Sequence, residues 1–308
     1  MRFRFQPWQL ALLVVALCAA AVGVEQWRRS RHPYGAAELI QCLPPDATAH
    51  VYIDVSTLRR SGLLDLLAGS KAVEEADYRQ FVEQTGFDYR TDLDSIAAAF
   101  LRSSVYFTLR GRFGWKRLSD YARAQGGQCR NGVCRMPGSR PERNISFYPL
   151  TPDVLAFSVS AEERGVNVIS PGQWKKPPVL PPEPVWISAP SFAFSDVSSF
   201  PTGTHAFLSP LAQAQRVIFA VGQQGERLQV RLEVLCNSAE AAAELVKQLT
   251  STTDLLKSML ARDHLTPNPR DLSGVLTAGT FRQQDARVAG VWPIERGFVA
   301  ALASGQVQ

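Results

Sequence analysis

Apolar positions along this chain fall into three patterns, and each predicts a different element. The first is a solid run. Leu10 to Val24 carries no polar side chain and sits between Trp8 and Trp27. As a helix, residues 8–27 span about 30 Å, the thickness of a bilayer's hydrocarbon core. The second pattern alternates with period two. Val105, Phe107 and Leu109 mark a strand over Ser104–Arg110, and Leu228, Val230, Leu232 and Val234 mark another over Arg227–Cys236. Shorter runs predict strands at His50–Val55, Asn144–Tyr148, Val154–Val159, Gln215–Val221, Gly279–Gln284 and Arg287–Trp292.

The third pattern is helical. Leu58, Leu63, Leu64, Leu66 and Leu67 form one side of a helix that Ser56 would cap. Ala72–Thr85 carries Val73, Tyr78, Phe81 and Val82 inward and meets Gly86 just past its end, and Trp115–Gln125 stops at Gly126-Gly127. Thr91 to Asp94 is expected to open a short helix into Ala97–Phe100, and Ser160-Ala161-Glu162-Glu163 a capped helix through Ile169. Ser238 caps a long amphipathic helix over Ala239–Arg262, and Pro293 is expected to open a last helix to Ala303. Seven prolines between 171 and 190 predict an extended, semi-rigid linker.

These elements predict an α+β protein: an N-terminal transmembrane helix followed by two α+β modules, each an antiparallel sheet with helices packed on one face. The expected boundaries are 1–32 for the anchor and its flank, 33–170 for the first module, 171–190 for the linker and 191–308 for the second module. A strand–turn–strand–helix order recurs at 144–169, 215–262 and 279–303, without residue identity.

Charge refines the leader. Residues 1–32 hold five arginines and one acid, net +4, out of +5 for the whole chain. The remaining 276 residues are almost neutral, which argues against nucleic acid as a partner. Arg2 and Arg4 on one flank oppose Arg28, Arg29 and Arg31 on the other, so the positive-inside rule does not orient the span. The tryptophan pair suits a retained anchor with the bilayer as partner through residues 8–27; cleavage after Ala21 and secretion is the alternative. Leu17 stands before Cys18 where a lipidation site would need a small residue.

Cysteine supplies the orientation. In Cys129-Arg130-Asn131-Gly132-Val133-Cys134, Asn-Gly suits a two-residue type I′ turn. That register places Cys129 opposite Cys134 at a non-hydrogen-bonded position, where Cα atoms lie close enough for a disulfide. A disulfide predicts an oxidising compartment, hence a body in the periplasm and a single-pass inner-membrane protein.

The Leu43-Pro44-Pro45-Asp46-Ala47-Thr48-Ala49-His50-Val51-Tyr52-Ile53-Asp54 opening resembles bacterial membrane-anchored periplasmic proteins with duplicated α+β modules. So does Gly86-Phe87-Asp88-Tyr89 followed by Asp92-Leu93-Asp94, behind an anchor. The resemblance implies an envelope location and carries no catalytic residues.

Candidate chemistry is sparse. His32, His50, His205 and His264 have no metal-ligand spacing, and there is no nucleophile elbow, dinucleotide fingerprint or P-loop. No cofactor is expected. Asp92 and Asp94 read as first-turn charges rather than an acid–base pair. Residues 102–143 hold ten basic residues against Asp120 and Glu142, net +8, while 71–100 is net −4. Arg110, Arg112, Lys116, Arg117 and Arg123, with Phe113, Trp115 and Tyr121 nearby, are candidate anion-binding residues; internal pairing with the acidic stretch is the plainer expectation. The predicted function is a membrane-tethered, non-enzymatic binding or scaffold protein of the cell envelope. The alternatives are an envelope hydrolase with a scattered site and a module that binds an anionic lipid or glycan through 102–143.

Overall fold

Twelve antiparallel strands line up in a single sheet in the computed structural model, which describes residues 34–68, 76–138, 140, 142–224 and 227–303. Residues 8–27, with Trp8 and Trp27, lie outside the described residues; among the described ones no helix is long and apolar enough to cross a membrane. The chain runs through α1 (Ala36–Gln41), β1 (Ala49–Ile53), α2 (Val55–Arg60), α3 (Leu63–Ala68), α4 (Ala76–Thr85) and α5 (Tyr89–Asp92). Then come β2 (Leu93–Leu101), β3 (Ser104–Gly111), α6 (Trp115–Ala124), β4 (Gln128–Arg130), β5 (Val133–Pro137), β6 (Asn144–Thr151) and β7 (Val154–Ser160). The second half holds β8 (Val185–Pro190), α7 (His205–Leu208), β9 (Arg216–Gln224), β10 (Arg227–Leu235), α8 (Ala239–Arg262), α9 (Leu272–Thr277), β11 (Thr280–Gln284), β12 (Arg287–Ile294) and α10 (Arg296–Ala303).

The strand order is β11-β12-β10-β9-β8-β1-β2-β3-β7-β6-β5-β4. It contains the same path twice. A meander β1-β2-β3 is followed by α6 and a hairpin β6–β7 whose second strand returns to pair with β3. A meander β8-β9-β10 is followed by α8 and a hairpin β11–β12 whose second strand returns to β10. β1 and β8 pair antiparallel with Val51 opposite Ile187, so the two repeats meet about a pseudo-twofold axis there. The repeat is therefore longer than the expected strand–turn–strand–helix unit: it spans 49–160 and 185–294. The halves expected as modules are parts of one sheet, and the described residues from Ala36 to Ala303 form one compact unit.

Direct cross-strand partners share a face. A row runs from Phe147 through Phe157, Phe107, Ala98, Val51, Ile187 and Phe219 to Leu232. That face carries the helical layer. On it, Leu232 and Val288 pack with Leu245 and Leu249 of α8, and Leu155 and Phe147 pack with Leu118 and Ala122 of α6. The opposite face carries Thr108, Ser146 and Ser158, all fully buried. There Thr108 donates to Leu39 O of α1 (3.0 Å), and Ser146 Oγ accepts from Val166 N of the 3-10 turn Gly165–Val168 (3.0 Å).

Four expectations change. Ala97–Phe100 is strand, not helix: the helix is Tyr89–Asp92, capped by Asp88, and β2 begins at Leu93. Ala97, Ala98 and Ala99 are all buried, because both faces of β2 are covered and small side chains admit α1; the period-two signal vanishes under such coverage. Ser56 is not the cap of α2; Asp54 accepts from Thr57 N, and Ser56 donates to Asp54. Ser160 caps no α-helix: its hydroxyl donates to Glu162 O, and Gly165 sits against it where any Cβ would collide. Pro293 lies within β12 opposite Gln229, so α10 starts at Arg296. The long helix Ala239–Arg262 has the expected bounds, with Ser238 Oγ accepting from Ala241 N.

Candidate functional site

The site grows out of the way α4, α5 and α6 roof the first repeat. Thr85, the last residue of α4, donates to Phe81 O (2.7 Å) and accepts from Phe87 N (3.2 Å); Gly86 between them takes φ +67°, a left-handed helix end. This turn aims Phe81 and Phe87 toward the sheet. Phe87 stacks on Phe113 at 5.2 Å, and Phe81 meets Tyr121 of α6 edge-on at 5.2 Å. Below them lie Leu109, Leu155, Phe157, Phe147 and Met136 from four strands. Roof and floor form a half-open pocket of about 300 Å³ with no charged residue in its wall.

A polar brace holds the roof. Asp88 caps α5, accepting from Arg90 N (2.9 Å) and from the Tyr78 hydroxyl (2.9 Å). Burial, and then donation to Asp88, push the Tyr78 hydroxyl's pKa well up. Asp92 accepts from Asp88 N (3.0 Å) and pairs with Arg112 (2.9 Å). Burial alone would raise the Asp92 pKa, but these donors outweigh it and hold the carboxyl low. Asp94 lies 3.9 Å from Arg59, whose guanidinium also donates to the carbonyls of Arg90 and Leu93. Asp92 and Asp94 thus tie α2, α5 and the end of β3 together.

The candidate anion-binding residues do not share one face. Arg112 is engaged by Asp92; Lys116 and Arg123 both pair with Asp120, at 2.7 and 3.0 Å; Arg117 lies across Gly86. Arg110 alternates to the opposite face of β3, beside Thr108. Phe113 and Tyr121, read in sequence as companions of those arginines, line the apolar cavity instead.

Cys129 and Cys134 form the expected disulfide, their Cα atoms 4.0 Å apart across the β4–β5 hairpin, with Asn131 and Gly132 both at positive φ in the turn. Cys42 and Cys236 are buried thiols, and burial pushes Cys42 up to about 11. His50 Nε2 faces Pro44 O at 2.9 Å and His205 Nε2 faces Phe200 O at 2.8 Å, so each ring is held by a backbone carbonyl. Among the described residues no cluster of His, Cys, Asp or Glu could hold a metal ion.

Fold and site together define a class: a duplicated α+β protein built on one antiparallel sheet, with an apolar cavity under the helices of its first repeat. No family model matches the chain, and no curated protein matches it. Solved structures with the same fold exist. TP0453 in crystal form I aligns over 89% of this chain and 100% of its own, with TM-score 0.51 and 11% identity; crystal form III covers 87% and 99% at the same score and identity. A likeness this distant concerns the fold alone.

Sequence reasoning missed the cavity. Its walls come from segments between residues 81 and 157, and its aromatics read singly: Phe81 as the inner face of a helix, Phe113 and Tyr121 as companions of the arginines, Phe147 and Phe157 as strand residues. The one local signal was the density of aromatics around Gly86 and Phe113.

Proposed function

We propose that this chain is a membrane-tethered binding protein of the bacterial cell envelope, with its body on the periplasmic side and no reaction of its own. Its ligand is an apolar molecule of acyl-chain type, held under α6. The observation that carries the ligand is the 300 Å³ cavity with wholly uncharged, largely aromatic walls. An apolar pocket of this kind offers water no hydrogen-bond partners and favours an apolar occupant that makes dispersion contacts with its walls. The apolar run between Trp8 and Trp27 supports the tether, and the Cys129–Cys134 disulfide supports the oxidising side of the membrane.

The test uses the full-length chain in phospholipid nanodiscs with a diazirine-bearing palmitate, mapping cross-linked peptides by mass spectrometry. Adducts are expected on the α4–α6 segment and reduced in Met136→Phe, whose ring narrows the cavity. Adducts confined to residues 8–27, or unchanged by Met136→Phe, would overturn the ligand assignment. For the address, protease added to spheroplasts should cleave the body; a body protected until the membrane is opened would reverse it.

A further inference from the structure

The sheet's other face carries a second, chemically different cavity. Residues 171–184 do not simply link two halves: they run as a strap over β8 and β1, braced at both ends. At one end Gln173 donates to Cys42 O (3.1 Å) and the Trp174 indole to Leu43 O (2.9 Å). At the other, Pro184 O accepts from Asp54 N (2.6 Å), and Glu183 pairs with Arg231 of β10. Between the braces Pro178 to Pro181 roof a cavity of about 250 Å³. Prolines keep this roof extended and stiff.

The floor is polar. His50 stands opposite Ser188 in the β1–β8 register, Trp186 is two residues before Ser188, and Arg216 sits diagonally on β9, so all four share a face. Arg216 donates to Ser188 Oγ at 3.0 Å, and no carboxylate pairs with Arg216 among the described residues. With its oxygen accepting from Arg216, Ser188 keeps its O–H to give. Trp186 is 2% exposed, and its indole N–H is buried with no hydrogen-bond partner. His50 Nε2 meets a carbonyl, which can only accept, so that nitrogen carries the proton and Nδ1 is left as an acceptor. Burial above all, and Arg216 nearby, keep this imidazole neutral against the opposing pull of the Pro44 carbonyl and Asp46. The site therefore offers one permanent positive charge and one further donor, the Ser188 hydroxyl, within walls formed by Trp174, Pro178 and Pro181.

The geometry points to a second binding site, between the strap and the sheet, for a small ring-bearing carboxylate. Arg216 and Ser188 hold the carboxylate, and the ring lies against Trp174 and the strap prolines. A charged acceptor suits Arg216, whose guanidinium matches a carboxylate in two-pronged geometry. The cavity volume limits the body to about a single ring.

Saturation-transfer NMR on the full-length chain in nanodiscs tests this with benzoate and glucuronate, and with benzamide and glucose as neutral matches. At least one carboxylate is expected to bind, its neutral match not to; whichever binds separates an aromatic from a sugar source. Arg216→Met, at an exposed strand start, should weaken binding at least tenfold, and Ser188→Ala several-fold, with the thermal midpoint of Arg216→Met unchanged. No signal from either carboxylate at millimolar concentration, equal binding of the neutral analogues, or unchanged binding to Arg216→Met would each overturn the site. Met136→Phe, which narrows the cavity on the opposite face, should leave this binding unaltered.

Discussion

The two repeats follow one chain path and fill it differently. In the second, α7, α8, α9 and α10 lay Phe207, Leu245, Leu249, Val275 and Phe298 onto Val217, Leu232, Val288 and Trp292. Phe281 even occupies the space over Gly290, its ring 3.0 Å from where a Cβ would stand. In the first, the cluster under α6 has only Leu118, Ala122, Cys134, Phe147 and Leu155 buried. A ten-residue helix cannot cover what the 24-residue α8 covers, and aromatic rims bridge the remainder without filling it. The apolar void under the helices of the second repeat is about 150 Å³, half that of the first, while a larger hollow of about 410 Å³ between α9 and the end of β12 has Glu295 and Arg296 in its wall. Between helices and sheet, the duplicated fold has thus filled one copy more fully than the other.

Truncation gives the largest contrast. Leu249→Ala, fully buried in the second repeat, should lower stability by about 3–5 kcal/mol in urea unfolding, while Leu118→Ala, already beside a void, should lose nearer 2 kcal/mol. Equal losses would mean that the first repeat is packed as tightly as the second. Enlargement should invert the contrast. Leu249→Phe overpacks and is expected to cost up to about 3 kcal/mol, whereas Met136→Phe enters existing space and should be neutral or stabilising. A strongly destabilised Met136→Phe would show that the cavity cannot accept a ring.

What the sequence made legible follows the same division. α8 was readable to the residue because a cap, a one-sided apolar stripe and one buried face agree. The Cys129–Cys134 hairpin was readable because Asn131-Gly132 fixes the register locally. β2 was not: Leu93 to Leu101 is covered on both faces, so its alanines carry a helical propensity that packing overrides. The strap was read only as proline-rich chain, since its role rests on partners such as Cys42, Leu43 and Arg231, about 130 and 50 residues away. The first cavity shows in the sequence only as a density of aromatics around Gly86 and Phe113 and the second has no local signature, because each wall is contributed by separate strands and helices.

The thin repeat is also the one with a covalent staple. The β4–β5 hairpin is an insertion without a counterpart between α8 and β11, where α9 stands instead. Cys134 is part of the small cluster under α6, and Cys129 packs against it. For so short a loop, Cys129→Ala with Cys134→Ala should lower stability by about 2 kcal/mol. If the staple supports the hollow roof, amide exchange should rise in α6 and not in α8. A uniform rise across both repeats would separate the disulfide from the cavity.

The smallest effect concerns acid. Asp54 caps α2 in the first repeat and Asp271 caps α9 in the second. For each, burial would raise the pKa, but donors outweigh it and the carboxyl ends below its ordinary value: Ser56 and Thr57 for Asp54, Ser273 and Gly274 for Asp271. A folded pKa below the unfolded one of about 3.9 means that the contribution is complete above that pH and is lost as pH falls through the folded value. Thermal midpoints should therefore drop below about pH 4. Asn can still cap a helix but takes up no proton, so Asp54→Asn and Asp271→Asn should each flatten part of that drop, by less than about 1 kcal/mol at these solvent-screened positions. Because both repeats carry such a cap, the two variants should flatten the slope alike; a response from Asp54→Asn alone would mean that the first repeat opens first in acid.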